Sequence, residues 1–192
     1  MQQFLSELTS GDDWRAEAAV QALAALSGEQ VESAFAALRA LLEAPDADQR
    51  WWAGRALAAL QHPDVVGQLL VALGDPDAAV RQCGALGLRL HPDPQAVSAL
   101  VAALDDTDSL VGDLVGEALA AIGAPAVPAL LAVMQAGSRR ARLKAVRALA
   151  AIGDQRSIPA LFAALDEDSA LMEYWASEGL EKMGVGMAFF LP

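Results

Sequence analysis

The chain has 192 residues and a formal net charge of −12 at pH 7, from 25 acidic and 13 basic residues. This balance argues against nucleic acid as a partner, because phosphate contacts need a basic surface. A single cysteine, Cys83, excludes an internal disulfide and favours a reducing, cytoplasmic compartment. The first residues lack the pattern of a secretory signal, and no apolar run approaches the ~20 residues of a membrane span. We therefore expect a cytoplasmic protein without membrane contact.

A leucine recurs at nearly constant spacing through the chain. The intervals between copies are 34, 31, 31, 30 and 31 residues, and the copies are Leu23, Leu57, Leu88, Leu119, Leu149 and Leu180. Apolar residues around each copy lie three or four positions apart, which is the period of a helix with one buried face. A second stripe of this period follows, for example Ile158, Leu161, Phe162 and Leu165. The pattern predicts repeated pairs of helices.

Such helix pairs are expected to stack side by side, because no single helix can bury its stripe alone. The predicted fold class is all-α, an α-solenoid (α–α superhelix) of about six helix-turn-helix repeats in a single domain. We place an N-terminal half unit at 1–9, full repeats at 10–44, 45–74, 75–105, 106–135 and 136–165, and a C-terminal half unit with a hydrophobic tail at 166–192.

The tail from Gly184 to Pro192 is rich in apolar side chains, among them Phe189 and Phe190. Termini are usually loose unless tied down, but burying one phenylalanine stabilises by roughly 1.5–3 kcal/mol. We predict an ordered strap that covers the last helix. The alternative is docking of the tail on a second copy, so we expect a monomer, or a dimer through the C-terminal tail.

Acidic turns separate the predicted units: Asp46-Ala47-Asp48, Asp75-Pro76-Asp77, Asp106-Thr107-Asp108 and Asp166-Glu167-Asp168. A metal site is one interpretation, but no third ligand or calcium-loop glycine follows at the required spacing. We favour a structural role. In this role an aspartate accepts hydrogen bonds from free amides at the start of the next helix and stabilises by roughly 0.5–2 kcal/mol.

One segment carries a family resemblance. The run from Asp75 to Arg81, then Leu88, and then the run from Asp93 to Leu100 resemble the short HEAT-like repeat of the phycobilisome-lyase type. The resemblance implies that an arginine early in each first helix ties neighbouring units through the acidic turns. The residues at that position are Arg50, Arg81 and Arg142, whereas Ala16, Gly112 and Glu173 depart from the pattern. Proteins of this repeat type include bilin lyases, phycobilisome-degradation factors and scaffolds, so the resemblance specifies fold more than function.

The second helices carry small side chains away from their apolar stripes. The positions that we single out are Gln68, Ala99, Ala102, Ala132 and Ala163. One interpretation is a smooth groove for a partner helix or a flat ligand. The other, which we favour, is alanine used as a helix former that lets helices approach closely.

Aromatic pairs occupy the same two positions in the second and last units, Trp51-Trp52 and Tyr174-Trp175. Trp14 lies near the start of the first unit. Adjacent aromatic residues cannot both face the core of one helix, so at least one of each pair should be partly exposed or lie at a unit boundary. The alternatives are a protein-binding anchor and packing between units.

Five basic residues are concentrated in one unit: Arg139, Arg140, Arg142, Lys144 and Arg147. Nucleic-acid binding would need basic surface over several repeats, so we favour a solvated stripe in which Arg147 pairs weakly with Glu117. His62 and His91 each precede Pro-Asp in a turn, without further ligands at metal-site spacing. We expect Cys83 to be a small packing residue.

We find no nucleophile–base pair, phosphate loop or metal-ligand motif. The sequence therefore predicts a scaffold or adaptor that binds an unidentified protein partner, with no catalysis, cofactor or metal of its own. The candidate protein-binding residues are Trp51, Trp52, Gln68, Ala99, Ala102, Ala132, Ala163, Tyr174 and Trp175. The alternative is a bilin-lyase-like or chromophore-handling subunit.

Overall fold

The computed structural model describes residues 1–185 and is helical without any strand over that range. Its α-helices are α1 Gln2–Leu8, α2 Asp13–Ala22, α3 Glu29–Leu41, α4 Ala47–Ala59, α5 Val65–Leu73, α6 Ala78–Leu90, α7 Val97–Ala103, α8 Ser109–Ile122, α9 Val127–Ala136, α10 Arg139–Ile152, α11 Ile158–Leu165 and α12 Ala170–Lys182. The all-α prediction is confirmed.

The chain divides into two compact units, Met1–His91 and a second that begins at Pro92. In the first unit, α4 packs against α2, α3, α5 and α6, and α5 also packs against α6. In the second unit, α10 packs against α8, α9, α11 and α12, and α11 also packs against α12. Alternate helices therefore lie side by side within each unit, which is the arrangement of a helical repeat array.

The leucine register is confirmed by burial. The repeat leucines are at most 3% exposed: Leu23, Leu57, Leu88, Leu119, Leu149 and Leu180. Leu23 differs in one respect, because it begins a 3-10 turn directly after α2. Most repeats have an apolar residue three positions after the repeat leucine, such as Leu60 and Ile122, but the third repeat has His91 there. Leu90, one position earlier, is 57% exposed and does not fill that place. The next side chain, His91, turns back instead, with its Nε2 2.8 Å from the carbonyl oxygen of Ala58.

The aspartate caps are present at three of the four acidic turns. The carboxylate of Asp46 accepts from the amide of Asp48 at the start of α4. Asp77 and Asp108 each accept from two amides at the starts of α6 and α8. The fourth turn corrects the prediction, because α12 has Ser169 as its N-cap and no side-chain hydrogen bond there. The acidic residue Glu167 has a different role, pairing with an arginine.

An arginine clamp joins successive repeats, as the family resemblance implies. The Arg50 guanidinium donates from Nε and Nη2 to the two carboxylate oxygens of Asp75, at 2.7 and 3.0 Å. Its Nη1 also donates to the carbonyl oxygens of Ala44 and Pro45. In the second unit, Arg142 donates to Glu167, 25 residues after it in the sequence, but from Nη2 alone, and its buried Nε has no partner among the described residues. Each clamp therefore holds the start of one repeat to the acidic turn that follows it.

The helices α5 and α6 approach closely at Gly84. A Cβ atom at this position would lie 2.6 Å from the amide nitrogen of Leu73 and 2.9 Å from the carbonyl oxygen of Leu69. Because these are backbone atoms, no side-chain rotation can relieve the overlap. We expect Gly84→Ala to lower the free energy of unfolding by about 1–3 kcal/mol in chemical denaturation.

Gly67 provides the matched control for this prediction. It lies in α5, and a Cβ there would have no atom within 4 Å. Gly67→Ala should leave stability unchanged or raise it by up to about 1 kcal/mol, because alanine is the better helix former. Equal effects of the two substitutions would contradict the close approach at Gly84.

The predicted C-terminal strap falls mainly on residues 186–192, outside the described residues. The last described part ends at Gly184, which has a φ of 74°, and Val185, whose amide donates to the carbonyl oxygen of Leu180 at 2.9 Å. No single helix of the described chain has the length and composition of a membrane span. The segments Ser109–Ile122 and Ala124–Ala136 have them only when taken together, and the chain bends by 115° between the two.

Candidate functional site

Three of the four tryptophans line one cleft in the first unit. The cleft has a volume of about 700 Å³, and its lining includes Trp14, Trp51 and Trp52 together with Asp13, Glu17, Asp46 and Asp48. We call these seven residues the tryptophan cleft. Trp14 is 89% exposed, and the other two tryptophans are half-buried. The volume lies within the range of ligand sites, ~300–1,000 Å³.

The starts of two helices position these side chains. Trp14 is the second residue of α2, and its amide donates to the N-cap carboxylate of Asp12 at 3.0 Å. Trp51 and Trp52 lie one turn into α4, with ring centroids 4.8 Å apart and planes at 89°. The edge-to-face pair is a favourable aromatic geometry and holds both indole rings in place.

The cleft is acidic. Its lining includes four carboxylates and no lysine, arginine or histidine. One of them, Glu17, is ion-paired with Arg55 at 2.6 Å. Asp13 and Asp48 are exposed and make no ion pair in the described part of the chain, while Asp46 accepts the helix-capping bond. The partial positive charge at the helix starts offsets only part of this negative charge, so the cleft favours a cation.

The remaining candidate residues lie outside this cleft. Gln68 is half-buried on α5 of the first unit. In the second unit, the alanines are exposed on α7, α9 and α11: Ala99, Ala102, Ala132 and Ala163. Whether they bind a partner stays a prediction.

The second aromatic pair is partly covered by the protein itself. Tyr174 is 54% exposed, and its ring centroid lies 4.9 Å from that of the half-buried Trp175. The Arg147 guanidinium lies over the Trp175 ring, with Cζ 5.3 Å from the centroid. The same guanidinium donates to Glu117 at 3.1 Å, which confirms the ion pair that the repeat alignment predicts.

The side chains of the basic cluster have hydrogen-bond acceptors within the second unit. Arg142 pairs with Glu167, and Lys144 pairs with Asp113. The other three cluster members donate to acceptors of the same unit: Arg139 to the Asp168 carbonyl oxygen, Arg140 to the Asp106 carbonyl oxygen, and Arg147 to Asp113 and Glu117. Three of the five basic side chains are therefore ion-paired within their own unit, whereas Arg139 and Arg140 donate to backbone carbonyl oxygens.

The histidines and the cysteine have structural partners. The His62 ring stacks on Phe35 with centroids 3.8 Å apart, and its Nδ1 accepts from the amide of Asp64. Burial raises the pKa of the Cys83 thiol to about 12, with the charge of Arg55 opposing this only weakly. The thiol therefore stays protonated at neutral pH and fills space, as predicted. Over the described residues, no group of three or more potential ligand side chains is placed to hold a metal ion.

The repeat pattern matches the model of a known protein family. The model for HEAT repeats matches residues 1–82, 35–120, 68–139 and 113–181, which together span most of the chain. The chain belongs to the HEAT repeat family. This confirms the HEAT-like resemblance and the solenoid class of fold.

Solved structures of helical repeat proteins share the fold of this HEAT repeat protein. The complex of CpcE and CpcF of phycocyanin lyase from Nostoc sp. PCC7120 is similar at 26% identity over 94% of this chain and 76% of that chain, with a TM-score of 0.54. A designed armadillo repeat protein in complex with peptide (KR)4 is similar at 19% identity, covering 94% and 98%, with a TM-score of 0.54. The protein YIBA_ECOLI is similar at 15% identity, covering 97% and 72%, with a TM-score of 0.64. The comparison with curated proteins found no match.

Sequence reasoning missed Trp14 and the aspartates as parts of one HEAT repeat site. It treated Trp14 as a separate feature and favoured capping over a metal site for Asp46 and Asp48. A signal was available, because neighbouring repeats stack and place residues near the starts of successive first helices close together. Trp14 near the start of α2 and Trp51 near the start of α4 meet this condition.

Proposed function

We propose that this HEAT repeat protein is an adaptor that binds a partner protein through the tryptophan cleft and has no catalysis of its own. The observation that carries the proposal is Trp14, which is 89% exposed beside two further tryptophans in one cleft. Water contact of an indole is unfavourable, and tryptophan is enriched among the residues that dominate binding energies at interfaces. The repeat fold adds an extended surface around the cleft.

The test is selection from a random peptide library on the full chain, followed by affinity measurements on variants. We expect enriched peptides whose binding weakens by about 2 kcal/mol or more in Trp14→Ala. Trp14 is exposed, so its removal should change the free energy of unfolding by less than about 0.5 kcal/mol. The loss of affinity would then report on the binding contact itself.

Tyr174→Ala is the matched control, because it removes an exposed aromatic side chain from the second unit. The selected peptides should bind this variant as they bind the original chain. A library that yields no peptide dependent on Trp14 or Trp52 would overturn the proposed use of the cleft.

A chromophore-handling role is the second candidate. It is favoured by the similarity to the phycocyanin lyase complex at 26% identity over 94% of the chain. The purified chain would be mixed with a bilin and then desalted. Visible absorbance that remains with the protein would support this role, and its loss on desalting would count against it.

A further inference from the structure

Trp52, one of the residues of the tryptophan cleft, has a counterpart in the second unit. Trp52 and Trp175 occupy equivalent positions, each five residues before the leucine that marks its repeat. In the second unit, the Arg147 guanidinium from the preceding repeat lies over Trp175 and donates to Glu117. A guanidinium held between an indole face and a carboxylate is therefore an arrangement that this repeat already builds at this position.

The equivalent arginine is absent before Trp52. Arg147 lies two residues before its repeat leucine, and the residue at that position in the first repeat is Gln21. Gln21 is uncharged and exposed. The position that covers Trp175 from within the chain thus supplies no cation for Trp52, although the cleft around Trp52 is acidic.

We propose that the tryptophan cleft binds an arginine side chain presented by a basic segment of the partner protein. The inference rests on the adaptor function proposed above and specifies the chemistry of its partner. The bound guanidinium takes the role toward Trp52 that Arg147 has toward Trp175. Asp13 and Asp48, which have no ion pair in the described chain, accept its hydrogen bonds.

The chemistry of the cleft favours arginine over lysine. A guanidinium is planar, stacks on an indole face and presents donors in a fork that matches a carboxylate. An ammonium group interacts with both but as a compact, strongly hydrated point charge. Capping of α2 and α4 accounts for some of the carboxylates, but capping gives no reason for an exposed indole beside them.

The first experiment is calorimetric titration of the full chain with acetylated and amidated Gly-Ser nonapeptides. One peptide carries three arginines, a second carries citrulline at the same positions, and a third carries lysine. Citrulline keeps the shape of arginine without its charge. We expect the arginine peptide to bind at least about tenfold more tightly than the citrulline peptide and more tightly than the lysine peptide. Trp14→Ala and Asp48→Asn should each weaken its binding by several-fold, with unchanged melting.

A second experiment tests the comparison of Trp52 with Trp175. Gln21→Arg places an arginine at the position of the first repeat that aligns with Arg147, and it should compete with the arginine peptide and weaken its binding. Gln61→Arg adds the same charge at another exposed position of the first unit and should have a smaller effect. Equal affinities in these two variants would overturn the comparison with Arg147.

The outcomes separate this inference from the adaptor function. Equal binding of the arginine and citrulline peptides, or arginine binding that ignores Trp14→Ala, would overturn the arginine proposal. If library peptides without basic residues still depend on Trp14, the adaptor function stands and only the chemistry of its partner changes. If neither the library nor the arginine peptide depends on the cleft, both proposals fail.

Discussion

Replacing Leu149 by alanine should lower the free energy of unfolding by about 2–5 kcal/mol. Leu149 has no exposed surface and lies in α10, which packs against four other helices of its unit. The substitution removes the side-chain burial and leaves a cavity that surrounding helices fill only in part. Leu88→Ala should have an effect of the same size in the first unit, because Leu88 is equally buried.

Leu90→Ala is the control for this result. It removes the same atoms from α6, but from a side chain that is 57% exposed. Its effect should stay within about 0.5 kcal/mol. Urea unfolding followed by circular dichroism measures the three variants. Equal stability of Leu88→Ala and Leu90→Ala would show that the helical register of α6 is wrong.

Breaking the Arg50–Asp75 clamp should have the next largest effect. The two side chains are only 12% and 9% exposed, so Arg50→Met leaves a nearly buried carboxylate without its cation. We expect a loss of about 1–3 kcal/mol, less than for a fully buried pair, because solvent reaches the site and Asp75 still accepts from the amide of Asp77. The methionine keeps much of the apolar stem, so the measured loss reports mainly on the guanidinium.

The stability that is lost in Arg50→Met should depend on pH. Burial raises the pKa of Asp75, but hydrogen bonds from Arg50 and the Asp77 amide, with the charges of Arg50 and Arg81, outweigh it and hold the pKa below its usual value. A lowered pKa means that the clamp stabilises the fold above the unfolded pKa of aspartate and that this contribution disappears as the pH falls through the folded pKa. The difference between the original chain and Arg50→Met should therefore shrink below pH ~4.

Arg15→Met provides the comparison. Arg15 pairs with Glu7 at 2.6 Å, but its side chain is 56% exposed. Exposed pairs contribute little, about 0–1 kcal/mol. A double-substitution cycle of Arg50→Met with Asp75→Asn isolates the clamp from other effects. A coupling no larger than that of the exposed pair would mean that the clamp does not hold the repeats together.

The sequence by itself determined the helices, their buried faces and three of the four capped starts. The spacing of the repeat leucines is sufficient for this, because one apolar residue every three or four positions specifies which face of a helix is buried. The caps of Asp77 and Asp108 are also predictable from the local sequence, because a cap depends only on the next two or three amides. The family resemblance added the clamp of Arg50 to the acidic turn.

Only the tertiary structure decided which off-core side chains meet. Trp14 joins Trp51 and Trp52, and Arg147 lies over Trp175, although these residues are far apart in the sequence. Helical periodicity predicts that such side chains face outward, but it does not specify how far each helix is shifted and rotated relative to its neighbour. Those depend on how the buried faces interlock, which is set by side-chain volumes across the contact. The period of the sequence therefore specifies the fold, and the packing of neighbouring helices forms the tryptophan cleft.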